Sequence, residues 1–223
     1  MSNMMRLRIT FSKDGPLAYT SHLDLARIWE RSLRRAGVPL AYSHGFNPRP
    51  RLQLAAALPL GHTGAAELLD IWLERPVTVE SFTKSLPPVL PTGLQISQVR
   101  QVQVKEPALP TQVRASEYRV SVEWEETAAQ VEARIERLLA ATELPRERRG
   151  KRYDLRPLIE HLWLEEVVSG SELVLGMQLA ARPGATARPE AVLEALGMDG
   201  AFARYQRRLL LMVTASGDEQ RHA

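Results

Sequence analysis

Hydrophobic and polar residues alternate at the start of the chain. From Met5 to Phe11 the odd positions hold apolar side chains, and the even positions hold arginine or threonine. A period of two is typical of a β-strand that buries one face. We therefore predict a first strand here, with its polar side chains on the face away from the core.

The spacing of the apolar residues then becomes helical. Ser21 can cap the first turn of a helix, and Asp24 follows three residues later, as in a shortened capping box. Between Leu25 and Ala36 the apolar residues recur at helical spacing, and the Gly-Val-Pro sequence after them is typical of a helix end. The chain therefore begins with a strand and a helix.

Two strands, a second helix and a last strand complete the first half. The apolar stretches 52–58 and 69–73 predict strands, and the segment between them contains two glycines that permit a turn. A short helix over 79–86 precedes a strand that begins near Leu94. This order, β-α-β-β-α-β, is that of a ferredoxin-like unit.

A similar pattern begins again after residues 105–116, which contain two prolines and mixed polar residues and are predicted as a linker. Residues 118–124 alternate as in a strand, and a helical stripe of apolar residues follows over 131–139. The later predicted elements are a strand over 173–179, a helix over 189–197 and a strand over 203–213.

These elements predict an α+β fold of tandem ferredoxin-like (βαββαβ) units with antiparallel sheets. We place the first unit over residues 1–104 and the second over 117–213, with the linker 105–116 between them. The polar residues 214–223 are predicted to form a disordered tail.

The composition narrows the possible chemistry. The 223 residues include no cysteine, which excludes disulfides, thiolate zinc sites and cysteine-ligated iron–sulfur clusters. The sequence has no run of about 18 apolar residues, and its start lacks the apolar region of a signal peptide. We therefore expect a cytoplasmic protein without a membrane contact, and we predict no cofactor.

Positive charge is concentrated in two segments. Residues 27–51 carry a net charge of +5 and residues 146–156 a net charge of +4, on a chain whose total is only +3. Two basic segments on an otherwise mildly acidic chain favour an anionic partner at a defined place, and we predict a nucleic acid. Basic side chains on solvated faces are the alternative.

The stretch YSHGFNPRPR, over residues 42–51, has the side chains that bind single-stranded RNA. Its two aromatic rings can stack on unpaired bases, its amide can contact a base edge, and its arginines can contact phosphates. The prolines hold the backbone extended. The alternative is a rigid turn with Phe46 in the core.

The predicted helix before this stretch carries arginines at i, i+4 and i+7, which share one face and can bind phosphates. The alternative is a solvated face with an ion pair between Glu30 and Arg34. The residues predicted to bind RNA in the first unit are Arg27, Arg31, Arg34, Tyr42, His44, Phe46, Asn47, Arg49 and Arg51.

In the second unit, residues 146–156 place six cations around one glycine. A hairpin that carries them would reach into a groove of a nucleic acid or along a single strand. The residues predicted to bind RNA there are Arg146, Arg148, Arg149, Lys151, Arg152 and Arg156.

The histidines of the first half raise the question of chemistry. His22, His44 and His62 occur together with Asp24, and such side chains can ligate a metal or move protons. None has the spacing of a motif such as H-E-x-x-H, so we predict no metal site. We assign no catalytic residue, with His22 or His44 as a general acid or base in RNA cleavage as the alternative.

Several motifs resemble those of a known family. The first half of the chain contains FSKDGPLAYTSHLDLARIWERSLRRAGVPLAYSHGFNPRPRLQLAAALPLG, and the second contains RRGKRYDLRPLI and RPGATARPEAVLEALG. These stretches, in this order, resemble the radical-SAM-linked protein family, a domain of uncharacterised function found beside, or fused to the C-terminus of, radical SAM proteins. The resemblance covers nearly the whole chain and points to the stand-alone form.

The resemblance implies association with a radical SAM enzyme, often beside genes of RNA processing and ribosomes. Such an enzyme needs a cysteine-ligated cluster, so a chain without cysteine is predicted to be the accessory partner. We therefore predict an RNA-binding accessory protein that serves a radical SAM protein in the modification or processing of rRNA or tRNA.

Two other functions remain open at this point. One is a metal-independent endoribonuclease of tandem ferredoxin-like architecture, similar to the repeat-processing proteins of CRISPR systems. The glycine-rich loop that those proteins carry near the C-terminus is absent from this sequence. The other is a purely protein-binding subunit of a radical SAM complex, whose basic segments contact an acidic surface.

Overall fold

The computed structural model of the chain describes residues 4–169, 171–213 and 219–222. The chain divides into two compact units, of which the first ends at Val113 and the second begins at Arg114. Within the described residues, no helix is long and apolar enough to cross a membrane.

The first unit is a four-stranded sheet with helices. Its elements are β1 (Met5–Lys13), α1 (His22–Arg35), β2 (Leu52–Leu54), β3 (Thr63–Leu73), α2 (Val79–Ser85) and β4 (Leu94–Val102). Strand β3 pairs with β2 and β1, and β1 pairs with β4, always antiparallel. The resulting order, β2-β3-β1-β4, confirms the predicted ferredoxin-like unit.

Helix α1 packs on one face of this sheet through an apolar stripe. Ser21 Oγ accepts a hydrogen bond from the N–H of Asp24 at 3.1 Å, so the helix begins at the predicted cap. Trp29 and Leu33 are fully buried. The rings of Trp29 and Phe11 meet edge to face with their centroids 5.0 Å apart, which joins the helix to β1.

Strand β3 begins earlier than the sequence predicts. Its first part contains Glu67, which is buried and pairs with Phe11 of β1. The Glu67 side chain lies over Gly64, where a β-carbon would be 2.6 Å from Cγ of the glutamate. A charged residue and a glycine interrupt the apolar pattern, so only the end of this strand is visible in the sequence. Strand β2 is also shorter than the predicted 52–58.

Strand β1 buries both of its faces, whereas the alternating pattern predicts one. The side chains of Arg6 and Arg8 are 0 % and 3 % exposed. Their Nε atoms donate to the carboxylate of Asp70 on β3, at 2.9 Å from Arg6 and 2.8 Å from Arg8. The predicted solvent face is therefore wrong: charge-assisted hydrogen bonds to one buried carboxylate let these arginines lie inside the protein.

The segment predicted as a linker packs against this polar face. Arg6 Nη1 donates to the carbonyl oxygen of Glu106 at 2.7 Å. Leu109 is fully buried, and its N–H donates to Gln53 Oε1 at 3.1 Å. Residues 106–112 are thus fixed to the first unit, and the next strand begins inside the predicted linker.

The second unit repeats the arrangement with an insertion. Its elements are β5 (Val113–Glu123), α3 (Ala128–Ala140), β6 (Pro145–Arg148), β7 (Lys151–Asp154), β8 (Ile159–Ser169), β9 (Glu172–Arg182), β10 (Ala185–Thr186), α4 (Pro189–Ala195), β11 (Ala203–Val213) and β12 (Glu219–His222). Strand β9 pairs antiparallel with β8 and β5, and β5 neighbours β11. The order β8-β9-β5-β11 is again ferredoxin-like. The hairpin β6–β7 forms a separate two-stranded sheet between α3 and β8.

Helix α3 provides much of the core of this unit. Thr127 and Gln130 form a complete capping box at its start. Val131, Ile135 and Leu138 form its buried face, at the spacing that the sequence predicts.

A glycine allows two strands of the second unit to pack closely. Trp163 of β8 is the cross-strand partner of Gly176 on β9. A β-carbon at position 176 would be 2.0 Å from the indole ring. The ring can lie against the sheet only because this residue has no side chain.

Two segments of the second unit form strands that the sequence analysis does not predict. Strand β8, of 11 residues, begins at Ile159 in a region where the sequence analysis predicts no strand, and a 3-10 turn over Arg156–Leu158 precedes it. Within the predicted tail 214–223, residues 219–222 pair antiparallel with β11. The rest of the predicted tail lies outside the described residues.

The buried ion cluster generates a prediction about stability. Asp70→Asn should lower the free energy of unfolding by about 3–5 kcal/mol, because it leaves the buried guanidinium of Arg6 without a carboxylate and Arg8 with only the weaker pair to Glu106 at 3.5 Å. Urea denaturation followed by circular dichroism measures the change. Asp24→Asn, which removes an exposed carboxylate, should shift the unfolding midpoint far less than Asp70→Asn does. Equal midpoints for the two variants would contradict the prediction.

Candidate nucleic-acid interface

The predicted RNA-binding stretch forms an ordered loop, which we call the aromatic loop (residues 42–51). The N–H of Arg51 donates to the carbonyl of Ala41 at 2.8 Å, which closes its base. The N–H of Ser43 donates to the carbonyl of Arg49 at 2.8 Å, and Ser43 Oγ accepts from the N–H of Arg49 at 3.0 Å. These bonds hold the tip of the loop away from the sheet.

The aromatic side chains of this loop face solvent. Phe46 is 101 % exposed and Tyr42 is 40 % exposed. The alternative that places Phe46 in the core does not hold, because Phe46 lies at the tip, where no core residue can reach it. His44, Asn47 and Arg49 are exposed beside these rings. The loop therefore combines two accessible rings with an amide and a cation.

Arg51 has a structural role at the base of the loop. Its guanidinium carbon lies 5.1 Å from the centroid of the Trp72 ring, and that of Arg6 lies 4.6 Å from the same centroid. Arg51 is half-buried, and its Nη1 is 3.6 Å from Sδ of Met4. These cation–π contacts anchor the loop on β3.

The three predicted arginines of α1 are exposed, but they are not equivalent. Arg27 Nη1 donates to Asp24 Oδ1 at 3.0 Å, and Arg34 Nη1 lies 3.8 Å from Glu30 Oε1. Arg31 has no ion pair or hydrogen bond with a residue that the structure describes. The ion pair between Glu30 and Arg34, which the sequence left as an alternative, is therefore present, and Arg31 is the arginine of this row most open to a ligand.

The carboxyl of Asp24 is held in its ionised form. A hydrogen bond from Ser21 and a second one from Arg27 keep the pKa of Asp24 below its usual value. The pair with Arg27 is therefore complete at neutral pH, and it is lost only as the pH falls through this lowered pKa.

The basic segment of the second unit forms the hairpin that the sequence predicts, which we call the basic hairpin (residues 145–154). Arg148 pairs with Lys151 and Glu147 pairs with Arg152 across its two strands. Arg149 and Gly150 make the turn, with φ values of 54° and 75°. Positive φ at both positions is typical of the two-residue type I′ hairpin turn.

The cations of this segment divide into two groups. Arg146 lies 3.7 Å from Glu194 of α4. Arg156 Nε donates to the carbonyl of Leu139 at 2.9 Å, and its Nη1 donates to that of Ile159 at 3.2 Å. These two arginines support the hairpin. The four cations left for a ligand lie at its tip, and they are Arg148, Arg149, Lys151 and Arg152.

The histidines lie in three different places. His22 is the first residue of α1, and His44 is exposed in the aromatic loop. His62, 1 % exposed, is buried beside the start of β3. Among the residues that the structure describes, no group of three or more His, Asp and Glu side chains could hold a metal ion.

Sequence reasoning missed a buried polar cluster at the start of α1. Lys13 is fully buried, and its Nζ donates to the carbonyls of Ala18 and Thr20 at 3.3 and 3.2 Å. Its cross-strand partner is Gly64, over which the side chain of Glu67 lies. The signal in the sequence is a charged residue on a core-facing position beside a strand glycine.

The family comparison covers most of the chain. A family model described as "Uncharacterized protein conserved in bacteria (DUF2344)" matches residues 6–189, which include parts of both units. No curated protein matches the sequence.

Solved structures resemble the chain in fold. A chain of a Cbf5–Nop10–Gar1 complex matches with a TM-score of 0.55 and 8 % identity, over 92 % of this chain and 48 % of that chain. A chain of an H/ACA RNP bound to a substrate RNA containing 2′-deoxyuridine matches with a TM-score of 0.49 and 10 % identity, over 90 % and 46 %. The present chain thus spans about half the length of each. At 8 % identity the first similarity concerns the fold alone.

The Asp24 site generates a prediction about titration. Ser21→Ala and Arg27→Gln should each raise the pKa of Asp24, and Ser21→Ala should raise it more, because the serine bond is the larger cause. Nuclear magnetic resonance of the carboxyl carbon against pH measures the change. Arg34→Gln, which removes a charge from the same helix, should leave this pKa nearly unchanged. An unchanged pKa in both of the first two variants would show that neither bond persists in solution.

Proposed function

We propose that this chain, which belongs to the family of uncharacterized proteins conserved in bacteria (DUF2344), is an RNA-binding protein that holds unpaired RNA. The observation that carries the proposal is Phe46, whose ring is fully exposed at the tip of an ordered loop. The proposed contacts are base stacking on the aromatic loop, and phosphate binding by Arg31, by Arg49 and by the four cations at the tip of the basic hairpin.

The exposed ring of Phe46 contributes nothing to the stability of the fold. A buried phenylalanine side chain stabilises a fold by about 1.5–3 kcal/mol relative to an exposed one, and Phe46 makes no such contribution. Prolines on both sides of Arg49, together with the bonds of Ser43, keep the loop ordered, so the ring is presented at little further entropic cost. A stacking surface for a base needs this combination of a rigid backbone and an accessible ring.

The basic hairpin supports the same function in the second unit. Arg149 has a left-handed φ of 54°, a conformation that Asn or Asp adopts more easily at this turn position. An arginine at this position extends the charge to the end of the hairpin. A cluster of cations at a protruding tip is suited to the phosphates of a nucleic-acid strand.

The partner protein is a further part of the proposal. The resemblance to the radical-SAM-linked family implies a radical SAM enzyme as partner, and the absence of cysteine fits an accessory role. We propose that the chain presents rRNA or tRNA to such an enzyme in the cytoplasm. Affinity purification of the tagged chain, followed by mass spectrometry, tests this association. If repeated purifications recover no radical SAM protein, the proposed partner is wrong, whereas the RNA-binding proposal is unaffected.

The first prediction of the proposal concerns stacking. Phe46→Ala should weaken binding to a short single-stranded RNA of mixed sequence by about 1–3 kcal/mol, because one stacked base is lost. Fluorescence anisotropy of the labelled RNA measures the affinity. The melting temperature should not change, because the ring makes no core contact.

A matched control is Phe202→Ala, which removes an exposed ring from the second unit, outside the basic hairpin. This variant should bind RNA like the wild type. Equal affinity of Phe46→Ala and the wild type would exclude the aromatic loop as a stacking surface.

The second prediction of the proposal concerns charge. Replacing Arg148, Arg149 and Arg152 by alanine should flatten the dependence of log affinity on log salt, by about 0.7 for each phosphate contact that is lost. Affinity at several salt concentrations measures the slope. The stacking variant should keep the slope of the wild type.

The control for charge is a triple variant of Arg119, Arg204 and Arg208. These arginines of the second unit form ion pairs with glutamates, and their loss changes the net charge by the same amount. If both triple variants flatten the slope equally, the effect is one of net charge and the basic hairpin is not the contact. If the wild type binds no RNA at low salt, the proposal is wrong and the cations serve a protein partner.

A further inference from the structure

A groove runs between α1 and the residues that follow α2. Ile28, Arg31, Ser32 and Arg35 line it on the helix side, and residues 88–91 line it on the other. Its volume is about 340 Å³, which is within the range of small-molecule sites. Ser32 is buried at the floor, 3.5 Å from the carbonyl oxygen of Val89.

Two arginines of this groove form no direct ion pair, although the charge of Arg31 acts on Asp24 from a distance. Arg31 and Arg35 are both exposed, and they lie one helical turn apart, on the same side of α1. Neither forms a hydrogen bond or ion pair with any described residue. Arg27 and Arg34, on the same helix, each have a carboxylate partner. An anion would therefore find more available guanidinium donors in this groove than beside Arg27 or Arg34.

The opposite wall can accept hydrogen bonds but offers no donor. Residues 87, 88 and 91 are prolines, which have no N–H. The N–H groups of Val89 and Leu90 both donate to the carbonyl of Leu86, at 2.9 and 3.2 Å. The wall therefore presents apolar side chains and proline rings. The carbonyl of Val89 already accepts from Ser32 Oγ and that of Pro91 from the N–H of Leu94, so the carbonyls of Pro88 and Leu90 are the acceptors that remain. An extended peptide would need donors as well as acceptors from this wall.

We propose that this groove binds one nucleotide of the RNA, with its phosphate on Arg31 and Arg35 and its base against residues 88–91. A base with an exocyclic amino group, such as adenine or cytosine, can donate to the carbonyl oxygens of that wall. The apolar side chains and proline rings cover the face of the base. This inference rests on the proposed RNA function and adds a nucleotide pocket in the same unit as the aromatic loop.

The chemistry of the groove suits a nucleoside phosphate whether it is free or part of a strand. The first experiment therefore uses free AMP, CMP and UMP, with inorganic phosphate as a fourth ligand. Each is titrated into the ¹⁵N-labelled chain, and the amide shifts of Ser32, Val89 and Leu90 are followed. AMP and CMP should shift these amides at lower concentration than UMP or phosphate does.

Two matched variants test the role of the arginines. Arg31→Gln with Arg35→Gln should weaken AMP binding roughly tenfold or more, because two charge-assisted hydrogen bonds are lost. Arg27→Gln with Arg34→Gln removes the same charge from the same helix and should leave AMP binding nearly unchanged. All four side chains are exposed, so both variants should fold like the wild type.

Several results would overturn the inference. Equal binding of phosphate and AMP would reduce the groove to an anion site, and equal weakening in both double variants would reduce the effect to net charge. A glutamate-rich peptide that displaces AMP at equal concentration would favour an acidic protein partner over a nucleotide.

A second experiment separates this inference from the proposed function. The short single-stranded RNA should shift the same three amides, and the Arg31, Arg35 double variant should abolish these shifts. RNA binding that depends on Phe46 but is the same in both double variants would rule out the groove as a nucleotide site, and the RNA-binding proposal would stand. AMP binding in the groove without any RNA binding would support a site for free nucleotides and contradict the RNA-binding proposal.

Discussion

The carboxylate of Asp70 is the interaction on which the first unit depends. It accepts hydrogen bonds from two buried arginines of β1, and Arg6 continues to the backbone of residues 106 and 107. Next to this group, Arg100 of β4 is the direct cross-strand neighbour of Arg8. Burial and, after it, the charge of Arg8 lower the pKa of Arg100. Asp70, together with Glu106 at 3.5 Å from Arg8, thus balances the charge of the arginines on this face of the sheet.

Much of the fold follows from periodicity, and the departures have physical causes. The order of strands and helices in the first unit, the cap at Ser21 and the stripe of α3 are visible because their core is apolar, whereas β8 of the second unit was not predicted as a strand. The buried face formed by Arg6 and Arg8 is not visible, because a charged residue marks a solvent face unless its partner is known. Asp70 lies 62 residues or more away in sequence, and only the sheet register brings it there.

The sequence shows which residue types the candidate site contains, but it does not show which of their side chains are free to contact a ligand. The sequence indicates which side chains can bind RNA, yet it does not show that Arg51 is anchored on Trp72 or that Arg156 binds two carbonyls. The pairing of each arginine depends on neighbours from other elements. Arg35 was not among the predicted residues, because its groove arises only when residues 88–91 pack near α1.

The turn of the basic hairpin has a consequence for how this protein responds to selection. Arg149 occupies a conformation in which asparagine would be more stable, while its charge serves the proposed ligand. Stability and affinity therefore oppose each other at this one position. A laboratory selection for heat resistance alone would favour Arg149→Asn, and the improved scaffold would hold its ligand less tightly. Such a variant would show how much stability the wild-type chain gives up at this turn to keep its positive charge.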